Sequence, residues 1–427
     1  MKLIHHLRQN QHGSTLLGVL GYTFISLGLL ATILTVGSNH RKITTRQVNM
    51  ERAQYVAEGA VERGARYIEV NLGSLGSSFS SNGTLGAGTF TYTITQSNST
   101  TYSITATGFV NSVRRRVSIK RIYQPNFAQY ALWSHENGSI YFKAGEVFDG
   151  HVHADDTMYF SGDPVFHAPV TSGASSYGGS IASVTFDDGF TLNDTQGSMA
   201  DIDFDSAAST SLKNTANTSS SGVVLSGTST ITFSGGTVYI TNTRKGWTNH
   251  AWTTTGNRII YVANATSGAT DVAGTVYIGG GTVTGRLTIA TETDQYIRGH
   301  IDYTTDPVSN PASTDALGLI SRDDVWVDTS APNNLRVDAA IIAAGTAGSD
   351  GSFGVINYST GSPRGSLNIY GGIVQDVRGA VGTFSGSTTT HGFSKNYSYD
   401  PRFIDNPPPY YPVVSGKLQY SNWQEGN

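Results

Sequence analysis

Cysteine is absent from the chain, which rules out a disulfide framework, a thiol nucleophile and a thiolate metal site. Charge is scarce too. Asp, Glu, Lys and Arg make up 14% of the 427 residues, low for a soluble cytoplasmic protein. Proline numbers only 12, leaving the 50 glycines as the main source of corners. No glycine-rich phosphate loop, nucleophile elbow or Walker-type lysine is present, so the usual nucleotide and acyl-transfer signatures are missing. Beyond residue 127 no stretch reads as an amphipathic helix fit to be a βαβ crossover. Arg114, Arg115 and Arg116 fall inside a predicted strand with no aromatic platform or further basic groove, so nucleic acid is not expected as a partner.

What is present begins with a run of residues without charge, 13–39, behind a short leader carrying Lys2 and Arg8. A membrane-spanning helix needs about 20 predominantly apolar residues. Residues 15–36 (TLLGVLGYTFISLGLLATILTV) meet that length, with Thr15, Leu16, Leu17, Leu20, Phe24, Ile25, Leu29, Leu30, Ile33 and Val36 as the membrane set. A cleavable signal peptide is the competing assignment, but its apolar core runs about 7–15 residues and ends in an A-x-A-like site. Neither condition is met. Met50, Ala53, Ala57, Ala60, Gly64 and Ile68 then recur at steps of three and four, extending one predicted helix over residues 14–72. At about 1.5 Å per residue such a helix is roughly 88 Å long. Its narrow stripe of small residues suits either a sheet of the same chain or the helix of a neighbouring subunit.

Charge is divided unevenly. Residues 1–125 hold 13 Lys and Arg against 4 Glu, while residues 126–427 hold 14 against 27 acidic residues. A basic first part suits an anionic lipid surface. Arg41, Lys42, Arg46 and Arg52 follow the apolar run and only Lys2 and Arg8 precede it, so charge alone would put the large domain on the cytoplasmic side.

Gly13 closes the leader, Ser14 opens the apolar helix, and residues 53–68 read AQYVAEGAVERGARYI. This combination resembles the class III leader and helix of type IV pilins and pseudopilins, and the 53–68 segment is similar to the PilX-type minor pilin pattern. The resemblance implies that residues 1–13 are a leader peptide, cut by a prepilin peptidase between Gly13 and Ser14 on the cytoplasmic side. It implies a single-pass protein of the bacterial inner membrane, with the lipid bilayer and other pilin or pseudopilin subunits as partners and the head in the periplasm or on a filament. Gly18 stands where major subunits of the family carry a glutamate, which points to a minor or tip subunit.

After a Gly/Ser-rich link, alternation at Phe90, Tyr92 and Ile94, at Tyr102, Ile104 and Ala106, and at Val113, Val117 and Ile119 predicts three antiparallel strands. Residues 73–125 would thereby complete a pilin-like α+β stalk, with a boundary at Pro125. Residues 126–400 are read as an all-β head in which five-to-seven-residue strands alternate with glycine corners, as in 236–241, 274–303, 334–343 and 365–377. A parallel β-helix is the expected architecture, with an antiparallel sandwich or barrel as the alternative. Residues 401–427 are read as a Pro-rich extended tail. The head is similar to the β-rich passenger domains of unknown function found behind PilX-like stalks, which implies an architecture and no activity.

Candidate chemistry is thin. His151 and His153 flank Val152 on one strand face with Asp155 nearby, a pattern that fits either a zinc site or a solvated face. Asp187 and Asp188, and Asp201, Asp203 and Asp205, offer hard oxygens for calcium without the spacing of a calcium loop. Asp155–Asp156 and Asp323–Asp324 are adjacent, and strand alternation would aim the members of each pair in opposite directions, against a paired-carboxylate glycosidase. No catalytic or cofactor residue is assigned, and His151, His153 and Asp155 are the weak metal candidates. The sequence therefore predicts a non-enzymatic subunit for filament assembly, adhesion or export. The alternative is a membrane-tethered enzyme or lectin acting on envelope polysaccharide.

Overall fold

The computed structural model describes residues 11–71, 75–98, 101–196, 198–265, 273–345, 350–385, 388–414 and 418–426. They form two compact units, Met1–Tyr123 with Tyr420–Asn427, and Gln124–Gln419.

The first unit is dominated by helix α1 (Gln11–Val70). Residues 15–48 of this helix are exposed, apart from half-buried Ser26. Its later turns behave differently, because Ala53, Ala57, Ala60 and Ile68 have no exposed surface. They are covered by an antiparallel meander of β1 (Ser78–Leu85), β2 (Gly88–Asn98), β3 (Thr101–Val110) and β4 (Val113–Tyr123). Strand alternation turns Phe90, Tyr92, Ile94, Ile104 and Ala106 toward the helix. Small helix residues are needed because the backbones approach closely. A Cβ on Gly108 would overlap the Ala53 carbonyl oxygen and stand 2.6 Å from Ala57 N. Of the two uses open to the small-residue stripe, packing against the chain's own sheet is the one seen.

The sheet exceeds the three strands expected. β1 arises from the Gly/Ser-rich segment, where Ser81 and Gly83 separate the two large apolar residues among its half-buried positions, Phe79 and Leu85, and leave no apolar alternation to read. Phe79 anchors it by stacking on Tyr67, with ring centroids 4.0 Å apart. The fifth strand, Gln419–Gly426, lies beside β4 and comes from the segment read as part of an extended tail.

Parallel pairing builds the second unit. One registered line of residues runs Val223, Ile260, Ile289, Leu319, Ile341, Ile373, Leu132, Val152, Val170 and Phe190. A second line runs Ile231, Ile278, Ile297, Val327 and Val355. A third is aromatic, Phe148, Phe166 and Phe186, with centroid separations of 5.2 and 5.4 Å. These lines face one continuous core. The first steps from Ile373 to Leu132, so the earliest strands of the unit continue the stack where its later strands end.

Strand order in space therefore departs from sequence order, and connecting segments have to cross the stack. Met199, Phe204, Leu212 and Ala216 of one crossing, and Phe403, Tyr411 and Val414 of another, bury the outward faces of Trp133, Tyr261, Ile320, Ile342 and Val374 in a second core. The first crossing includes a short helix, α2 (Leu212–Thr218), capped by Ser211 Oγ accepting from Asn214 N. Burial on both sides of the strands explains uninterrupted apolar runs such as AAIIA at 339–343. The crossing segment from Met199 to Ala216 and the Pro-rich tail read from the sequence are covers for this sheet. Each supplies one large apolar side chain every few residues, too few to register as a period.

Candidate functional site

The membrane set lies together on α1. Leu16, Leu17, Leu20, Phe24, Ile25, Leu29, Leu30, Ile33 and Val36 are each 52–74% exposed, and Thr15 is exposed beside them. This is a helix long and apolar enough to cross a membrane by length and composition. Its threonines are already satisfied. Thr23 Oγ1 donates to Leu20 O, Thr32 Oγ1 to Gly28 O and Thr35 Oγ1 to Ala31 O, each at 2.8 Å. Hydroxyls bonded within the helix carry a much smaller penalty in lipid than free ones. Gly13 and Ser14 are helical within α1, and residues 1–10 of the leader lie outside the described residues.

In the second unit, His151, His153 and Asp155 do come together. Asp155 accepts at Oδ1 from His153 Nε2 (2.7 Å) and at Oδ2 from His135 Nδ1 (3.0 Å) and Trp133 Nε1 (3.4 Å). His153 Nδ1 lies 2.6 Å from Thr171 Oγ1, which is also 3.0 Å from His151 Nε2. Thr171 Oγ1 bridges the two rings, and its one O–H can donate to either imidazole while it accepts from the other. Both nitrogens of His153 are thereby occupied, and a metal would have to displace one of these partners. Burial alone would raise the Asp155 carboxyl, but the bonds from His153 and His135 outweigh it and hold the carboxyl below its ordinary range. His135 is raised, chiefly by its bond to Asp155. It opens, with Glu136, Asp203, Asp205, Arg322 and Asp376, on a groove of about 600 Å³.

A second constellation corrects the alternation argument. Asp294, Asp323 and Asp324 converge, with one carboxylate oxygen of each within 4.8 Å of the others. Asp323 and Asp324 sit in the bend before strand Val325–Val327, so strand alternation does not govern them. Burial pushes Asp324 up to about 6, and the charges of Asp294 and Asp323 add to this. Beside them Tyr277, Tyr296 and Trp326 stand in register on successive parallel strands. Their flanking residues are buried and they are half-buried, so they form an outward aromatic line. The sequence signal was there to read: VYI at 276–278, QYI at 295–297 and VWV at 325–327. Nothing in the sequence pointed to Asp294 or Thr171, because their roles depend on partners from segments distant in the chain.

A family described only as a domain of unknown function, DUF4900, matches residues 97–175, under a fifth of the chain. No curated protein matches. Among solved structures, the competence-associated pilin ComZ from Thermus thermophilus aligns with 88% of this chain and 98% of its own, at 11% identity and a TM-score of 0.37. No residue role is carried over from it.

Proposed function

We propose that the chain is a non-enzymatic, pilin-like subunit, held in the bacterial inner membrane by residues 15–36 and presenting a parallel β-helix head on the far side. One observation carries this reading: the two halves of α1. The first exposes an unbroken apolar surface that water disfavours, and the second is sealed on an antiparallel sheet. The registered parallel lines of the second unit support the β-helix. Other pilin-type subunits are the partners, and cleavage by a prepilin peptidase falls between Gly13 and Ser14. Intact-mass analysis of protein from the membrane fraction tests this. A mature chain starting at Ser14 is expected, and one starting at Met1 or beyond Val36 overturns the pilin reading.

A second reading, a head that binds envelope polysaccharide, is favoured by the Tyr277–Tyr296–Trp326 line beside converging carboxylates. Aromatic faces present the apolar surface and polar rims that sugar rings require. Trp326→Ala should then abolish binding in calorimetric titration with envelope oligosaccharides. Absence of any heat with the unaltered head removes this reading.

A further inference from the structure

The basic residues after the apolar run contribute to a groove, and its lining changes character along its length. A depression of about 800 Å³ within the first unit is lined by Ile33 and Leu34 at one end and by Arg41, Lys42 and Arg46 at the other, with Ser112 of the β3–β4 turn on the far wall. Leu34, Ser38, Lys42, Thr45 and Asn49 follow one another at steps of three and four, so apolar and cationic parts share one helix face. Arg41, Lys42 and Arg46 have no ion pair among the described residues. The chain has no acidic residue before Glu51, so no carboxylate is carried by the stretch of helix that lines the groove. The groove spans about 24 Å along the helix, at about 1.5 Å per residue from Ile33 to Asn49, and it begins inside the membrane segment.

From this we infer that the groove binds one anionic glycerophospholipid. The phosphodiester sits among Arg41, Lys42 and Arg46, hydroxyl and amide groups of Ser38, Thr45, Asn49 and Ser112 meet the remaining headgroup oxygens, and an acyl chain runs back along Leu34 and Ile33. A compact phosphate needs several cations and hydroxyl donors at one level, and only a lipid also uses the apolar floor. The inference rests on the proposed membrane anchoring. It gives a reason for cations on the head side of the span, where orientation by charge alone disfavours them: bound anionic lipid neutralises them there.

The test uses the full-length protein, purified in neutral detergent, delipidated and titrated with phosphatidylglycerol or phosphatidylcholine under native mass spectrometry. One phosphatidylglycerol should be retained at concentrations where phosphatidylcholine is lost. The preference should fall at high salt and should resist competition by glycerol phosphate. At roughly a fivefold loss per removed cation, R41Q/K42Q/R46Q should lower the preference on the order of a hundredfold. Arg52→Gln, an exposed cation outside the groove, should leave it unchanged. Equal retention of the two lipids by protein that inserts into vesicles overturns the lipid site and leaves the anchoring intact, whereas failure to insert overturns both. Equal losses in the triple variant and in Arg52→Gln, or displacement by free glycerol phosphate, also overturn the site.

Discussion

His151 and Asp324 titrate in overlapping windows with opposite consequences. Burial lowers His151 to about 4, with the neighbouring His153 adding to the effect. Between pH 6.5 and 4 the unfolded chain would hold a proton on this ring that the folded chain lacks. Its stabilising contribution is therefore full above pH 6.5 and is lost as pH falls toward 4. Asp324, raised to about 6 from an ordinary 3.8, binds its proton in the folded state first, so its contribution is full below pH 3.8 and lost as pH rises to 6. Asp324→Asn keeps an acceptor for the Ser352 N–H, which lies 2.7 Å from Oδ1. It should stabilise the second unit at pH 8 by about 1 kcal/mol after discounting for its half-exposed position, read as a rise in Tm, and give no gain at pH 4. His151→Gln should flatten the loss of stability between pH 6.5 and 4.5, and an unchanged slope in thermal melts would exclude this ring as its source. Neither shift was legible in the sequence. Both depend on burial between strands whose order in space differs from their order in the chain.

At the scale of elements, small residues and aromatic ladders set the tolerances. Gly108→Ala forces a methyl group into the Ala53 carbonyl and should destabilise the first unit by about 1–3 kcal/mol. Gly76→Ala, with nothing within 4 Å of the new Cβ, should be silent in the same urea titration. Phe166 has no exposed surface and stacks between Phe148 and Phe186. Phe166→Ala should therefore cost the second unit about 3–5 kcal/mol, and a loss under 1 kcal/mol would mean that the ladder does not support the stack. The helix and its small-residue stripe were readable because period and composition repeat over many turns. The β2–β4 strands were readable through Phe90, Tyr92 and Ile94 and their counterparts. β1 was missed because Ser81 and Gly83 interrupt its inward positions between Phe79 and Leu85, and the Asp294–Asp323–Asp324 cluster because its members lie outside the strands.

At the scale of the molecule, the second unit should fold without α1, and its boundaries follow from its covers. Phe403, Tyr411 and Val414 are almost fully buried and roof Tyr261, Ile320 and Ile342. Three such side chains contribute roughly 5–9 kcal/mol, at about 1.5–3 kcal/mol each. That approaches the whole stability of a typical domain, about 5–15 kcal/mol. A fragment of residues 124–419 is accordingly expected to be soluble, to melt cooperatively and to show a β-type circular dichroism spectrum, since among its described residues the α-helix is the seven-residue Leu212–Thr218. A fragment ending at residue 400 should bind a hydrophobic dye and lose its cooperative transition. The longer fragment should also keep its Tm through exhaustive chelation, because the His153 nitrogens are already engaged by Thr171 and Asp155. A metal held only by the folded state adds about 4 kcal/mol when present at a thousand times its Kd. A fall of many degrees on chelation, restored by zinc, would therefore mean that an ion is held after all, by the opened histidine network or by Asp294, Asp323 and Asp324.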